Sequence, residues 1–141
     1  MSDRVGRLMF IALQVRDVDA STHFYRDVLG VPLLVDEDED ALDDRWIGGE
    51  HQEHSWREGA YLHFAVFAAT ADRQPSEHTQ LGFAVDDLRS VHRRAVAAGV
   101  NVLHGPRDEP WGMTARYGDP DGNVIGLTQL LAPKDERFAP R

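Results

Sequence analysis

The chain has no cysteine, which excludes disulfides, thiolate metal sites and a cysteine nucleophile. It also lacks an apolar run long enough to cross a bilayer and a charged-then-apolar leader, so a soluble cytoplasmic protein is expected. Basic residues are few: 15 Lys and Arg stand against 24 Asp and Glu, for a formal charge of -9. That balance repels a polyphosphate backbone, which makes nucleic acid a poor partner, and it favours a cationic small molecule. Apolar residues are not lacking. At 42% of 141 positions they suffice for one domain, or for two small modules that share a core.

What is present is a repeat. Leu13-Gln14-Val15-Arg16-Asp17-Val18 recurs seventy residues later as Phe83-Ala84-Val85-Asp86-Asp87-Leu88. Each copy continues with a serine (Ser21, Ser90), a histidine two residues on (His23, His92) and a closing Gly-Val (Gly30-Val31, Gly99-Val100). The offset slips to sixty-nine after the aspartate, as expected if one turn is a residue shorter. A repeat of this length is no solenoid unit. It predicts two equivalent modules that pair to enclose one site.

Alternating Ile11, Leu13 and Val15 predict a strand over 10–15, and the stretch Asp17 to Ser21 supplies capping residues for a helix running to about Leu29, with Gly30 as its left-handed end. A second strand follows over 32–35. The composition then turns acidic over 36–44, and residues up to Arg57 read as a short strand at 45–47 and a mobile polar loop. Strands are expected at 61–67 and 80–85, a helix at 87–98, a short strand at 102–104 and a loop over 105–110. A hairpin of 113–117 with 124–130 turns on Asp119-Pro120-Asp121-Gly122-Asn123. Residues 70–78 separate the modules, and 132–141 form a disordered tail.

A βαβββ unit used twice, together with the Asp119–Asn123 turn, the preceding Trp111-Gly112 and the helix pattern Ser21, Phe24-Tyr25, Leu29-Gly30, resembles the vicinal oxygen chelate superfamily. That group includes glyoxalase I, extradiol dioxygenases, fosfomycin-resistance enzymes and bleomycin-resistance proteins. The resemblance covers about residues 8–131 and implies an α+β fold: modules at 8–69 and 78–131, a curled mixed sheet around an open cleft, and helices on the outer face. It also implies a homodimer with clefts built from both chains, and twofold dimers are the commonest closed assemblies.

Enzymes of this group hold one divalent metal through His, Glu or Gln at four strand positions. Here the resemblance places those positions at Phe10, His63, Gln80 and Gly126. A catalytic metal ordinarily needs three protein ligands with one site open. One histidine and one amide do not supply them, so no metal and no other cofactor is expected. Glu77 and His78, or His51, Glu53 and His54, are candidates for a displaced set, although His-x-x-His in a polar loop is ordinarily a solvated surface feature.

Strand parity turns Phe10, Ala12 and Gln14, Tyr61, His63 and Ala65, Gln80, Gly82 and Ala84, and Val124, Gly126 and Thr128 toward the concave face, joined by Thr114 and Arg116. Such a face is partly aromatic, lined by small residues and poor in titrating groups, as binding sites are. Trp111 resembles the tryptophan that stacks on an antibiotic ring in drug-binding members. The ligand-binding candidates are Phe10, Tyr61, His63, Gln80, Trp111, Met113 and Arg116, with no catalytic residue assigned. Arg116 either meets an anionic ligand group or pairs with Asp108 or Glu109, and the acidic run at 36–44 steers a cation or is simply solvated. The expected function is metal-independent capture of a cationic or planar aromatic antibiotic, as in bleomycin resistance. The alternatives are a metal-dependent lyase, isomerase or dioxygenase with a displaced ligand set, a metal-free biosynthetic enzyme, and a regulatory domain for a common metabolite.

Overall fold

Apolar alternation decides which face of each strand is buried. In β1 (Phe10–Val15) Leu13 and Val15 are buried and Ile11 packs on the same core, while Phe10, Ala12 and Gln14 are half-buried. The Asp17 carboxylate then accepts from the Ala20 N–H at 3.1 Å and caps α1 (Val18–Thr22), which continues as a π-helical segment (His23–Val28). Gly30 ends it at φ +88°, with the Val31 N–H donating to the Tyr25 carbonyl at 2.8 Å. The computed structural model describes residues 3–6, 8–35, 51–56 and 62–131.

The second copy reuses both devices. The Asp87 carboxylate accepts from the Ser90 N–H at 3.1 Å to start α2 (Leu88–Ala97), and Gly99 at φ +72° ends it. The Val100 N–H donates to the Ala95 carbonyl at 3.0 Å. This closing bond spans one residue fewer than its counterpart in the first copy. The capped positions Ala20 and Ser90 are still seventy apart, so the slip does not occur at the start of the helix, where the matched serines put it. It is absorbed further along, where the π-helical turn takes in the extra residue.

The remaining strands are β2 (Leu34–Val35), β3 (His51–Trp56), β4 (Leu62–Ala68), β5 (Gln80–Ala84), β6 (Asn101–Glu109), β7 (Gly112–Gly118) and β8 (Val124–Leu130). They form two four-stranded mixed sheets, ordered β1-β4-β3-β2 and β5-β8-β7-β6. In each, the first strand of the module runs parallel to the last and the other pairings are antiparallel. The mixed α+β architecture of two βαβββ units is therefore realised. Two expectations need correction. Residues 51–56 form a strand rather than a loop, because β2 and β4 flank them and satisfy their backbone groups. β6 runs through Gly105-Pro106 to Glu109 instead of stopping at 104, accommodating that pair through irregular register between Val102 and Arg107. The strand expected at 45–47, the acidic run and the tail lie outside the described residues. No helix among the described residues is long and apolar enough to cross a membrane.

One core serves both modules: Phe24, Tyr25 and Phe64 cluster with Tyr117, Ile125 and Leu127, and Phe64 meets Phe83 edge-on at 5.6 Å. Polar bonds fix the same junction. The Tyr25 hydroxyl donates to Asp119 at 2.5 Å, and the Asp119 carboxylate also accepts from the Asp121 and Asn123 backbone N–H groups and from the Asn123 amide. Arg16 bridges Asp121 (3.0 Å) and Glu77, whose carboxyl is held below its ordinary value by that guanidinium. The Asp119–Asn123 turn is thus a clamp between modules as well as a hairpin end.

Candidate functional site

The core takes Leu81, Phe83, Ala115, Tyr117, Ile125 and Leu127 from the second sheet, so the alternate residues emerge on the opposite face. Register aligns them in rows across the strands. Gly82, Gly126, Arg116 and His104 form one row, and Thr128, Thr114 and Arg107 belong to the next. These residues, with Gln80, Glu109 and Trp111, line a cavity of about 610 Å³. That volume lies within the range of small-molecule sites.

Its floor is bare at one end. A Cβ at Gly82 would meet nothing within 4 Å, and one at Gly126 would meet only the Leu81 carbonyl at 3.7 Å. Packing therefore does not demand glycine at either position, and the missing side chains leave room above the backbone. Gly112 is different. At φ +150° its Cβ would stand 2.2 Å from the Gln129 carbonyl oxygen, so only glycine lets β7 begin this close to β8. The corner it creates presents Trp111, 36% exposed, to the cavity.

The other end is charged. Arg107 Nε donates to Glu109 at 2.9 Å, so Glu109 has its partner in Arg107. Arg116 is exposed and makes no hydrogen bond or ion pair among the described residues. His104 Nδ1 lies 2.9 Å from the Gly105 carbonyl. A carbonyl only accepts, so Nδ1 carries the proton, and Nε2 is buried without a partner among the described residues.

Of the residues chosen from the sequence, the structure gathers Gln80, Trp111 and Arg116 in this cavity. Phe10 and His63 sit instead on the first sheet, directly opposite each other in register, with rings stacked at 5.2 Å and His63 buried. Neither contributes to the cavity lining. Met113 packs against the core, because strand alternation gives the cavity face to Thr114 and Arg116 on either side of Ala115. Tyr61 lies outside the described residues. Arg107 and Glu109 lie in the stretch 105–110 that reads as a loop, while His104, within the expected strand at 102–104, carries no signal of its own; the three make the site more polar than the small-residue pattern implies. Residues 101–109 carry no apolar alternation of their own, and β6 pairs with β7 across two register shifts.

The four positions that the resemblance equates with metal ligands divide two and two, Phe10 and His63 on one sheet and Gln80 and Gly126 on the other. Among the described residues no group of three or more His, Cys, Asp or Glu is arranged to hold a metal. Glu77, part of one displaced set considered, is bound to Arg16.

The model of the Glyoxalase/Bleomycin resistance protein/Dioxygenase superfamily matches residues 7–127. Among solved structures, the chain is similar to TnmS3, an antibiotic binding protein from Streptomyces sp. CB03234, at 27% identity and TM-score 0.66, over 90% of this chain and 98% of that one. A glyoxalase/bleomycin resistance protein from the same organism is 28% identical with TM-score 0.64, over 87% of this chain and all of the other. A superfamily member from Sphaerobacter thermophilus DSM 20745, 20% identical over 89% of this chain and 98% of that one, shares the fold with TM-score 0.61.

Proposed function

The chain belongs to the glyoxalase/bleomycin resistance protein/dioxygenase superfamily, and from that premise we propose that it is a metal-independent binding protein that sequesters a planar aromatic, antibiotic-like molecule in the cytoplasm. The observation that carries this reading is the cavity over the second sheet. It joins an open glycine floor, an aromatic edge at Trp111 and an uncommitted guanidinium at Arg116. A flat ring gains contact area against tryptophan and backbone, while one polar group fixes its orientation. Sequestration requires affinity and abundance and no chemical step. Similarity to an antibiotic binding protein supports the same class of ligand.

Phe10 and His63 enter this proposal through assembly. They occupy the concave side of the first sheet, outside the cavity lining. In a twofold homodimer the first sheet of one protomer covers the second-sheet cavity of its partner and brings half-buried Phe10 to the ligand, with the buried His63 ring stacked against it. Exposed Leu103, Trp111 and Leu131 supply apolar surface for such a contact. Sedimentation analysis tests this part: a dimer is expected, and a monomer that binds ligand at full affinity removes Phe10 and His63 from the site.

The function itself is tested by calorimetric titration with a panel of polycyclic aromatic antibiotics, followed by recovery of each compound. A member of the panel is expected to bind and to return unchanged. Trp111→Ala should weaken it between about twofold and tenfold, the scale of a ring contact of ~0.5–1.5 kcal/mol. Recovery of a modified compound would establish an enzyme in place of a binder.

A further inference from the structure

Resting on the cavity as the ligand site, we propose that it selects a planar ring carrying an anionic oxygen group, with the ring over Gly82 and Gly126 and the anion on Arg116. The three residues belong to one cross-strand row. Neighbouring strands are about 4.8 Å apart, and same-face residues repeat about every 6.6 Å along each strand. Two adjacent glycines therefore expose a patch of bare backbone with the footprint of a fused bicyclic ring. A ring lying there reaches the next strand of the row at its edge, and that strand carries Arg116.

The charge of the ligand follows from what is already paired. The charged residues lining the cavity are two arginines and one carboxylate, Arg107, Arg116 and Glu109. The carboxylate is taken by Arg107, so the uncommitted charge is positive. On a chain of formal charge -9 this cavity is locally of the opposite sign. A cation would be drawn to the protein at long range yet find no free carboxylate among the described lining residues. A carboxylate or phenolate would find a guanidinium fork, whose planar donors match its oxygens.

The test uses two probes with one ring and opposite charges, 2-naphthoate and 2-naphthylmethylammonium, titrated calorimetrically into the full-length protein. Naphthoate should bind about tenfold more tightly or better, the scale of one charge-assisted hydrogen bond in a partly enclosed site. Arg116→Gln should erase that preference and Arg116→Lys should restore part of it. Gly126→Val, whose side chain would occupy the floor, should weaken both probes alike. Unchanged thermal melting verifies that each variant is folded. Equal or tighter binding of the ammonium probe, still weakened by Trp111→Ala, overturns the anionic anchor and leaves the cavity as the site. A preference that survives Arg116→Gln places the anchor elsewhere and also overturns it. Failure of both probes to bind overturns the anchor and the cavity together.

Discussion

Replacing Tyr25 with phenylalanine removes one hydroxyl from the clamp between the modules and leaves the ring's packing intact. Tyr25 is fully buried, so no water takes the place of its donor. Its partner Asp119 retains three others, from the Asp121 N–H at 2.9 Å, the Asn123 N–H at 2.8 Å and the Asn123 amide at 2.9 Å. A hydrogen bond to a charged group contributes about 1.5–3 kcal/mol, and with three donors remaining the loss should be about 2 kcal/mol. For a chain of this size that lowers Tm by roughly 6–10 °C. The substitution also changes the alkaline limb of stability. Burial, and then the Asp119 carboxylate, hold the Tyr25 phenol far above its ordinary value of 10.0. A pKa raised in the folded state gives stability that is complete below the unfolded value and lost as pH rises beyond it, since the unfolded tyrosine ionises near pH 10 and the folded one does not. Denaturant unfolding between pH 7 and 11 should show a shallower alkaline decline in Tyr25→Phe; Tyr117, raised by burial, keeps part of the slope. A loss below about 0.5 kcal/mol at neutral pH, outside the range for such bonds, or an unchanged slope, refutes the clamp.

Three further outcomes are expected. Gly112→Ala, with its Cβ 2.2 Å from the Gln129 oxygen, should cost about 3 kcal/mol or more in chemical denaturation, and a neutral effect contradicts the close approach of β7 and β8. Asp87→Ala should cost about 1 kcal/mol by loss of the bond to the Ser90 N–H, as should Asp17→Ala in the first copy, if both caps work as the repeat implies. Protein purified without chelator should carry no stoichiometric metal by elemental analysis, and nickel, zinc, manganese or iron(II) should leave its melting unchanged. A metal-specific rise in Tm would bring forward a displaced ligand set and the lyase or dioxygenase alternative.

Much of the fold is legible because its signals are local. Asp17 and Asp87 cap by side chains three residues from the N–H groups they serve, and Gly30 and Gly99 end the helices by their own φ. Alternation along β1, β5, β7 and β8 assigns faces before any partner is known. What was missed depends on distant partners. His51-Gln52-Glu53-His54-Ser55-Trp56 has no apolar alternation and becomes a strand because it lies between β2 and β4. The π-helical turn leaves no local mark beyond a one-residue slip in the repeat, which matching serines misplaced. In the site, Arg116 follows from the alternation of the hairpin and Trp111 from its place in the resemblance. Arg107 and Glu109 have no such signal, because they lie beyond Gly105-Pro106 and the register shifts of β6, and His104, on the expected strand at 102–104, carries no mark of its place in the cavity. The Tyr25–Asp119 bond joins residues 94 apart and has no sequence signal at all.

Whether ligand binds on the cavity face of the second sheet is tested by amide NMR during titration with 2-naphthoate. The backbone resonances of Gly82 and Gly126 and the Trp111 indole should shift together and saturate with one affinity. Saturating shifts centred instead on Gly30 and Gly99, at the helix ends away from this face, would contradict binding on it.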